Sequence, residues 1–343
     1  MKNTNLIIGK TNTGKTKGIL FNEVNNMIDN NENLLIVNNR EEYYEQFNKK
    51  LKDNKYNTYV INLNDTTKSN GFNPLILPYN LYKNGNIDDS VELIKNICLE
   101  LFKTEVNSDP FWCNMASDYT TGLILTIFKN AKEDEINFGS IGTILTQSSK
   151  GDLFNNYLNS LNIMDNIYVS ASATAFAPNE TKGSIISVIK QKLNMIFMKE
   201  NLMNMLSINE LDLDKINNKT AIFVIGDSEI ANILVDQLNY IIKTKKIGFN
   251  IILDNLDLYT QIINLNNIID NATYNNIKLY MTTHSEDSIE RIYGKNIISK
   301  IENIIDINNY ELKYIEETTN KEYPSINKIE RNYFNLEEFL NNK

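Results

Sequence analysis

Residues 9–16 form a complete P-loop pattern, and few other stretches of this sequence restrict the fold as strongly. They match G-x-x-x-x-G-K-[ST] at each fixed position, follow the apolar run 5–8 and precede residues 19–27, which are predicted to be helical. In such a strand–loop–helix unit, the glycines allow a tight turn and backbone N–H groups converge on a polyphosphate. The sequence therefore predicts a nucleotide-binding loop made of Gly9, Lys10, Thr11, Asn12, Thr13, Gly14, Lys15 and Thr16.

The last two residues of this loop have distinct predicted roles. The Lys15 ammonium is expected to reach the β- and γ-phosphates of ATP, and the Thr16 hydroxyl is expected to bind Mg²⁺. P-loop enzymes also need an acidic residue at the end of a neighbouring buried strand, and the apolar run 249–253 is followed by Asp254. ATP and Mg²⁺ are thus the predicted ligands, with Thr16 and Asp254 as the residues of the metal site.

The residue that usually activates the attacking water is missing from its expected position. Enzymes that hydrolyse ATP commonly have a glutamate directly after the aspartate of this strand (Walker B), and Asn255 occupies that position. An amide cannot accept a proton, so the general-base role is unfilled there. Asp257 is a candidate substitute if the strand end is bent. His284 follows the apolar run 278–281 and is a candidate γ-phosphate sensor; an exposed loop histidine is the alternative interpretation.

Apolar periodicity divides the chain into an α/β part and a helical part. Short apolar runs alternate with helical patterns at both ends of the chain, as a parallel sheet requires, whereas residues 88–162 show helical spacing. We predict an α/β fold with a mostly parallel sheet at 1–78 and 182–343, and an inserted all-α domain at 79–181. The predicted strands are 5–8, 33–37, 56–63, 220–225, 249–253 and 278–281, with 301–305 and 311–315 as candidate closing strands.

Composition excludes several classes of protein. The 34 Lys and Arg residues against 43 Asp and Glu residues give a net charge of −9 at pH 7, which argues against a surface covered with nucleic acid. Cys98 and Cys113 lack metal-ligand spacing and are predicted to be buried thiols. No apolar run reaches the roughly 18 residues of a membrane-spanning helix. We therefore expect a soluble cytoplasmic chain that can also lie at the inner face of the cell membrane as a peripheral protein.

Further motifs follow one another along the chain. They are Asn70-Gly-Phe-Asn-Pro-Leu75, Asp109-Pro-Phe-Trp112, Gly122-Leu-Ile-Leu125 preceded by Ala116, Ala177-Pro-Asn-Glu-Thr-Lys-Gly-Ser-Ile185 and Ile292-Tyr-Gly294. With these motifs the chain resembles the TraG/TraD-type type IV coupling proteins, the ATPases of conjugative DNA transfer, over nearly its whole length.

The departures from this family pattern concern the hydrolytic site. The family's Asp-x-Lys-x-Glu after the second strand is present here as Asn38-Asn-Arg-Glu-Glu42, its Asp-Glu pair as Asp254-Asn255, and its sensor glutamine as His284. Lys182 replaces a common arginine, and the membrane-spanning helices that usually precede the P-loop are not in this sequence. The pattern predicts ATP binding with slow hydrolysis.

The resemblance implies a RecA-like P-loop NTPase that assembles as a homo-hexamer. Its implied partners are single-stranded or double-stranded DNA, a relaxase-type protein substrate and the proteins of a type IV secretion channel, with a separate protein as membrane anchor. Arg291, two residues before Tyr293-Gly294, is the candidate for action across a subunit boundary. Phe111 and Trp112 are expected in the core of the helical domain rather than stacked on DNA.

Three functional hypotheses remain open. The first is a DNA-translocating ATPase that couples ATP binding and hydrolysis to delivery of DNA or protein, and the intact Lys15 and Thr16 favour it. The second is a hydrolysis-impaired, nucleotide-gated adaptor that recruits substrate without moving it, and Asn255 together with the missing anchor favours it. The third, a P-loop NTPase of unrelated function, requires the Asp109-Pro-Phe-Trp112 motif to be accidental.

Overall fold

The computed structural model describes residues 3–103, 109–149, 152–258, 261–274, 277–308 and 319–342. The chain forms two units, one made of Met1–Asn70 with Asp212–Ser325 and the other of Gly71–Leu211 with Ile326–Lys343. We call them the α/β unit and the helical unit. The candidate closing strand at 311–315 lies outside the described residues.

One parallel sheet forms the centre of the α/β unit. Its strands are β1 (Thr4–Ile8), β2 (Leu34–Asn38), β3 (Asn57–Asn62), β4 (Thr220–Ile225), β5 (Asn250–Leu253), β6 (Leu279–Thr283) and β7 (Asn303–Asp306). They are arranged in the order β3-β4-β2-β5-β6-β1-β7, and all neighbouring pairs are parallel. Strands buried on both faces of a parallel sheet are near-continuous apolar runs, which is why the sequence predicted them. The predicted α/β class with a parallel sheet is confirmed.

Helices cover the sheet and make up the helical unit. In chain order they are α1 (Phe21–Asp29), α2 (Glu42–Asp53), α3 (Ile76–Lys83), α4 (Ile87–Phe102), α5 (Pro110–Asn130), α6 (Phe138–Ser149), α7 (Leu153–Asn159), α8 (Asn166–Ala175), α9 (Asn179–Phe197), α10 (Glu200–Met205), α11 (Glu229–Lys245), α12 (Leu265–Tyr274), α13 (Glu286–Tyr293), α14 (Asn296–Ser299) and α15 (Leu336–Asn341). Helices α3 to α10 and α15 belong to the helical unit, and the others belong to the α/β unit.

Strand register aligns the carboxyl ends of four strands along one edge of the sheet. Ile8 of β1 is level with Thr283 of β6. Leu253 of β5 is level with Met281 of β6 and with Val37 of β2. The residues that follow these strands therefore share one edge, which is where ligands bind in open α/β sheets.

The helix after the P-loop begins earlier than the predicted 19–27. Lys15–Leu20 forms a wide turn of the π type, in which the Phe21 N–H donates to the Thr16 carbonyl oxygen, and this turn continues into α1. Turns of this type occur frequently at functional sites. Phe21 then packs edge to face on Tyr43 and Phe47 of α2, at centroid distances of 5.1 and 5.3 Å. These contacts hold α1 and α2 together.

The helical unit is larger than the predicted insertion at 79–181. It begins at Gly71, continues to Leu211 and includes Ile326–Lys343. Helix α9, which the predicted boundary divides, lies wholly in this unit because it packs on α4, α5, α6 and α8 and buries Ile185, Ile189 and Leu193. The C-terminal segment joins the same unit through backbone and side-chain hydrogen bonds to α6, such as Leu336 N–H to Gln147 Oε1 at 3.1 Å.

The Asp109-Pro-Phe-Trp112 motif is the start of α5. The Asp109 carboxylate accepts the Phe111 N–H at 2.9 Å, and Pro110 is the first helical residue, a combination typical of helix N-termini. The prediction that Phe111 and Trp112 lie in the core is wrong. They are 44% and 37% exposed and pack on each other edge to face, because the first turn of α5 extends beyond the packed part of the helix.

Two expectations from composition concern the cysteines and membrane segments. Cys98 and Cys113 are both buried, free thiols. Burial raises the pKa of Cys98 to about 12, so its reactive thiolate form is strongly disfavoured. Within the described ranges, we find no helix with the length and apolarity that crossing a bilayer requires.

Gly122 marks the closest packing of α5 on α8, and it gives a test of the helical unit. A Cβ added at Gly122 would lie 2.6 Å from the Ala171 Cβ and 3.2 Å from the Ile167 carbonyl oxygen, so the two helices would have to separate. We expect Gly122→Ala to lower the free energy of unfolding by about 1–3 kcal/mol in denaturant titration. Gly183→Ala is the matched control, since Gly183 lies within α9 with open space around the same position. It should stabilise the protein by about 0.5–1 kcal/mol, and equal destabilisation by both changes would contradict the close packing of α5 on α8.

Candidate nucleotide-binding site

A cavity of about 640 Å³ opens at the carboxyl edge of the sheet. It is lined by residues 10–17 after β1 and by residues at or after the ends of β2, β5 and β6, namely Asn38, Asn39, Arg40, Glu42, Asn255, Leu258 and His284. This volume lies within the range of about 300–1,000 Å³ that is usual for small-molecule sites. The fold therefore brings the predicted P-loop and His284 together at one site.

Two glycines allow the loop to adopt this conformation. A Cβ at Gly9 would lie 2.4 Å from Thr13 Oγ1 and 2.9 Å from Ile307 Cγ1. Gly14 has φ 92°, in the left-handed region that glycine adopts without a steric penalty. Glycine is therefore required at Gly9 because a side chain would clash there. It is required at Gly14 because a side chain would disfavour the backbone conformation.

Lys15 is held inside the loop. Its side chain is buried, and its ammonium donates to the carbonyl oxygen of Gly9 and, at 3.1 Å, to that of Lys10. Burial lowers the pKa of Lys15, while the nearby charges of Asp254 and Asp257 act in the opposite direction. A phosphate would be a stronger partner for the ammonium than these neutral carbonyls, because a hydrogen bond between two charged groups is stronger.

Asp254 follows β5, is fully buried and accepts three hydroxyl hydrogen bonds. Thr16 donates to Oδ2 at 2.8 Å and Tyr43 donates to the same oxygen at 2.9 Å. Thr282 of β6 donates to Oδ1 at 2.6 Å. Hydroxyl donors satisfy an ionised carboxylate without neutralising it, so Asp254 holds the P-loop, α2 and β6 around a negative charge.

Thr16 and Asp254 fit a magnesium site of the type that also uses substrate phosphates. The Thr16 hydroxyl donates a hydrogen bond to Asp254, which leaves the lone pairs of the hydroxyl oxygen available to a cation. Magnesium is usually bound by one or two protein oxygen ligands, phosphates and retained waters. Within the described ranges no group of three or more His, Cys, Asp and Glu side chains could hold a metal, and such a magnesium site does not need one.

Asn255 bends the chain away from β5. Its φ is 61°, in the left-handed region that asparagine tolerates better than most residues, and its N–H donates to Thr282 Oγ1 at 2.7 Å. The bend leads into the short 3₁₀ turn Leu256–Leu258, which contains Asp257. The bent strand end that would allow Asp257 to approach the site is therefore present.

His284 and Asp257 form a pair next to the P-loop. Asp257 Oδ2 lies 2.7 Å from His284 Nδ1 and accepts the His284 backbone N–H at 3.2 Å. On the other side of the ring, Nε2 lies 3.2 Å from Thr11 Oγ1. His284 thus connects the turn after β5 to the P-loop, which is a more defined position than that of an exposed loop histidine.

The predicted arginine lies elsewhere. Arg291 is exposed in the last turn of α13 and is not among the residues that line the cavity in the described part of the chain. Its role across a subunit boundary stays a prediction. Arg40, in the loop after β2, does line the cavity and is exposed.

Sequence reasoning missed Tyr43, Thr282 and Glu42. Tyr43 is buried, and its hydroxyl donates to Asp254, which is 211 residues away in sequence. Glu42 lines the cavity and accepts a hydrogen bond from Asn38 Nδ2 at 3.1 Å. The motif Asn38-Asn-Arg-Glu-Glu42 indicated the loop that carries Glu42, whereas no pattern in the sequence paired Tyr43 or Thr282 with Asp254.

Comparison with protein families identifies a match over most of the chain. The family model described as type IV secretory system conjugative DNA transfer matches residues 3–253, which is well over half of the chain. No curated protein sequence matches the chain at a significant level.

Solved structures of a conjugative coupling protein have a similar fold. The plasmid coupling protein TrwB in complex with the non-hydrolysable ATP analogue ADPNP superposes with a TM-score of 0.61 at 11% identity, covering 87% of this chain and 67% of that one. TrwB in complex with ADP and Mg²⁺ gives 0.57 at 10% identity, covering 87% and 68%. The unbound monoclinic form of bacterial TrwBdeltaN70 gives 0.59 at 10% identity, covering 87% and 66%. The chain thus spans about two thirds of the length of these proteins, and their RecA-like fold is the one predicted for it.

Proposed function

The chain belongs to the type IV secretory system conjugative DNA transfer family, and we propose that it binds ATP with Mg²⁺ and couples nucleotide binding and hydrolysis to delivery of DNA or protein substrate. The observation that carries this proposal is the arrangement at the carboxyl edge of the sheet. There a complete P-loop with a buried Lys15 lines one cavity, and the Thr16 hydroxyl of this loop donates to the buried Asp254.

Each part of the site has a defined task in this proposal. The backbone N–H groups of the loop and the start of its helix face the phosphates, and Lys15 leaves the loop carbonyls to pair with the β- and γ-phosphates. Thr16 ligates Mg²⁺, and Asp254 orients Thr16 and holds the magnesium waters. The bound Mg²⁺ supplies charge that offsets the negative charge of the phosphates. TrwB structures with ADPNP and with ADP and Mg²⁺ support this assignment by analogy of fold.

The partners follow from the family and remain part of the proposal. They are single-stranded or double-stranded DNA, a relaxase-type protein, and the proteins of a type IV secretion channel, with the chain assembled as a homo-hexamer. The net charge of −9 favours a local DNA-binding surface, such as a basic pore, over a basic exterior. The exposed Arg291 is the proposed residue for action on a neighbouring subunit's nucleotide.

One observation favours a second candidate function. Asn255 stands where a water-activating glutamate is expected, so the chain could act as a nucleotide-gated adaptor that recruits substrate without translocating it. The adaptor requires ATP binding as much as the motor does. The two candidates differ only in turnover.

The experiment that tests the proposal measures binding and turnover separately. We expect calorimetry with ADPNP to show Mg²⁺-dependent binding, because Thr16 and Asp254 are already positioned for the cation. We expect steady-state phosphate release from ATP to rise when single-stranded DNA is added. Binding without turnover would favour the adaptor, and the absence of binding in the presence of Mg²⁺ would exclude both candidates.

A further inference from the structure

We propose that Asp257 and His284 form a catalytic dyad that takes the proton from the attacking water, in place of the carboxylate that Asn255 lacks. This inference rests on the proposed function, since it concerns hydrolysis of a nucleoside triphosphate bound at the P-loop. It concerns the same cavity, because His284 lines it and Asp257 lies behind His284 in the turn after β5.

His284 is held by two contacts with one carboxylate, one through its ring and one through its backbone. Asp257 Oδ2 binds both His284 Nδ1, at 2.7 Å, and the His284 backbone N–H, at 3.2 Å. The Asp257 side chain is 6% exposed and that of His284 is 31% exposed, so the carboxylate is enclosed and the ring reaches the cavity. This is the order of groups that a base and its orienting carboxylate require.

The contacts also determine which ring nitrogen can accept a proton. An ionised carboxylate only accepts hydrogen bonds, so the proton of a neutral His284 lies on Nδ1 and the lone pair lies on Nε2. Nε2 faces the P-loop, where the Thr11 hydroxyl lies 3.2 Å away and is placed to donate to it. A water molecule can replace Thr11 as the donor. The base therefore faces the side of the cavity where the P-loop would hold the terminal phosphate.

Asp257 places a buried carboxylate directly against the imidazole ring. Within the described residues, the second carboxylate oxygen of Asp257 is buried without a hydrogen-bond partner. Such a charge is costly to bury unless an opposite charge compensates for it. The positive charge of Lys15 interacts with this carboxylate and compensates for part of its negative charge. A proton taken up by the ring would place a second positive charge 2.7 Å from this carboxylate.

The step can be written with its atoms and electrons balanced. The water oxygen forms a bond to the γ-phosphorus as the bond between that phosphorus and the β–γ bridging oxygen breaks. The bridging oxygen keeps the bonding electron pair and leaves as part of the nucleoside diphosphate. One water proton passes to His284 Nε2, Asp257 stays ionised against the imidazolium, and His284 later releases the proton to solvent.

The variant His284→Gln distinguishes two roles of His284, that of a base and that of a phosphate sensor. Glutamine keeps a hydrogen-bonding side chain next to the P-loop but cannot take the proton. We expect the rate of phosphate release to fall by about 10²- to 10⁴-fold, the usual contribution of acid–base assistance, while ADPNP affinity stays within a few-fold of the native value. Asp287→Asn is the matched control, because it removes an exposed carboxylate from α13 near His284, and its rate should equal that of the native chain.

Two further readouts would not change if His284 only stabilised the fold. Added imidazole should restore part of the turnover lost in His284→Ala. His284 is the single histidine of the chain, so ¹⁵N-histidine labelling of tag-free protein gives one imidazole in the NMR spectrum. We expect its proton on Nδ1 in the native protein at neutral pH, and a shift towards the other tautomer in Asp257→Asn.

The outcomes distinguish this inference from the function on which it rests. If the native chain does not bind ADPNP with Mg²⁺, the proposed function fails. If it binds ADPNP but His284→Gln releases phosphate at the native rate, or if the native chain has no turnover with DNA present, the dyad is overturned and nucleotide binding stands. A native imidazole with its proton on Nε2 would also overturn the dyad.

Discussion

Lys15→Ala is expected to weaken binding of ADPNP with Mg²⁺ by about 100-fold. Hydrogen bonds to charged groups contribute about 1.5–3 kcal/mol each, and 1.4 kcal/mol corresponds to a factor of ten in affinity. The ammonium is buried against the carbonyl oxygens of Gly9 and Lys10, and in the proposed complex it would pair with two phosphates. Isothermal calorimetry measures the change directly.

Lys10→Ala is the control for Lys15→Ala. It removes the same charge from the same loop, but the Lys10 side chain is exposed, so we expect an affinity change of only a few-fold. The fold should tolerate both changes, because neither side chain belongs to the apolar core. Equal loss of affinity in the two variants would show that the loop attracts the nucleotide by its net charge and not through the position of Lys15.

The central strands of the sheet could be predicted from the sequence because they are short apolar runs. The run in β4, Thr220–Ile225, is buried at all of its residues, and such strands leave a clear signal. The extent of the helical unit could not be predicted in this way. Helix α9 has the same type of amphipathic pattern whichever unit it packs on, and only its contacts with α4, α5, α6 and α8 assign it. The segment 326–343 has no long apolar pattern, and hydrogen bonds to α6 secure it.

In the site, too, local sequence patterns predicted some residues, whereas contacts between residues far apart in sequence could not be predicted. The P-loop was predictable because its spacing encodes a local conformation, with Gly14 at φ 92°. Asp254 was predictable because it follows a buried strand. The Tyr43–Asp254 contact depends on β2 and β5 being neighbours in the sheet. The Asp257–His284 contact depends on β5 and β6 being neighbours. No local pattern specifies that order.

Asp254→Asn is expected to weaken the apparent affinity for Mg²⁺ in the nucleotide complex, and the rate of phosphate release, by about 10- to 100-fold. Changes in the groups that orient metal ligands typically have effects of this size. Asparagine has nearly the same volume, and the hydroxyls of Thr16, Tyr43 and Thr282 can rotate to meet its amide, so the fold should be retained. The negative charge that orients Thr16 and holds the magnesium waters is lost. Titration of Mg²⁺ against a fixed ADPNP concentration measures the affinity.

Tyr43→Phe is the control that separates the charge of Asp254 from its hydrogen bonds. It removes one of the two donors to Oδ2 and keeps the buried ring, so the carboxylate stays charged and Thr16 keeps its contact. We expect a loss of stability of about 0.5–1.5 kcal/mol, with Mg²⁺ affinity within a few-fold of the native value. If Tyr43→Phe weakened Mg²⁺ binding as much as Asp254→Asn, the hydroxyl network and not the charge would set the site. If Asp254→Asn bound Mg²⁺ as the native chain does, the cation would be held by Thr16 and the phosphates alone, and the assignment of Asp254 to the metal site would be wrong.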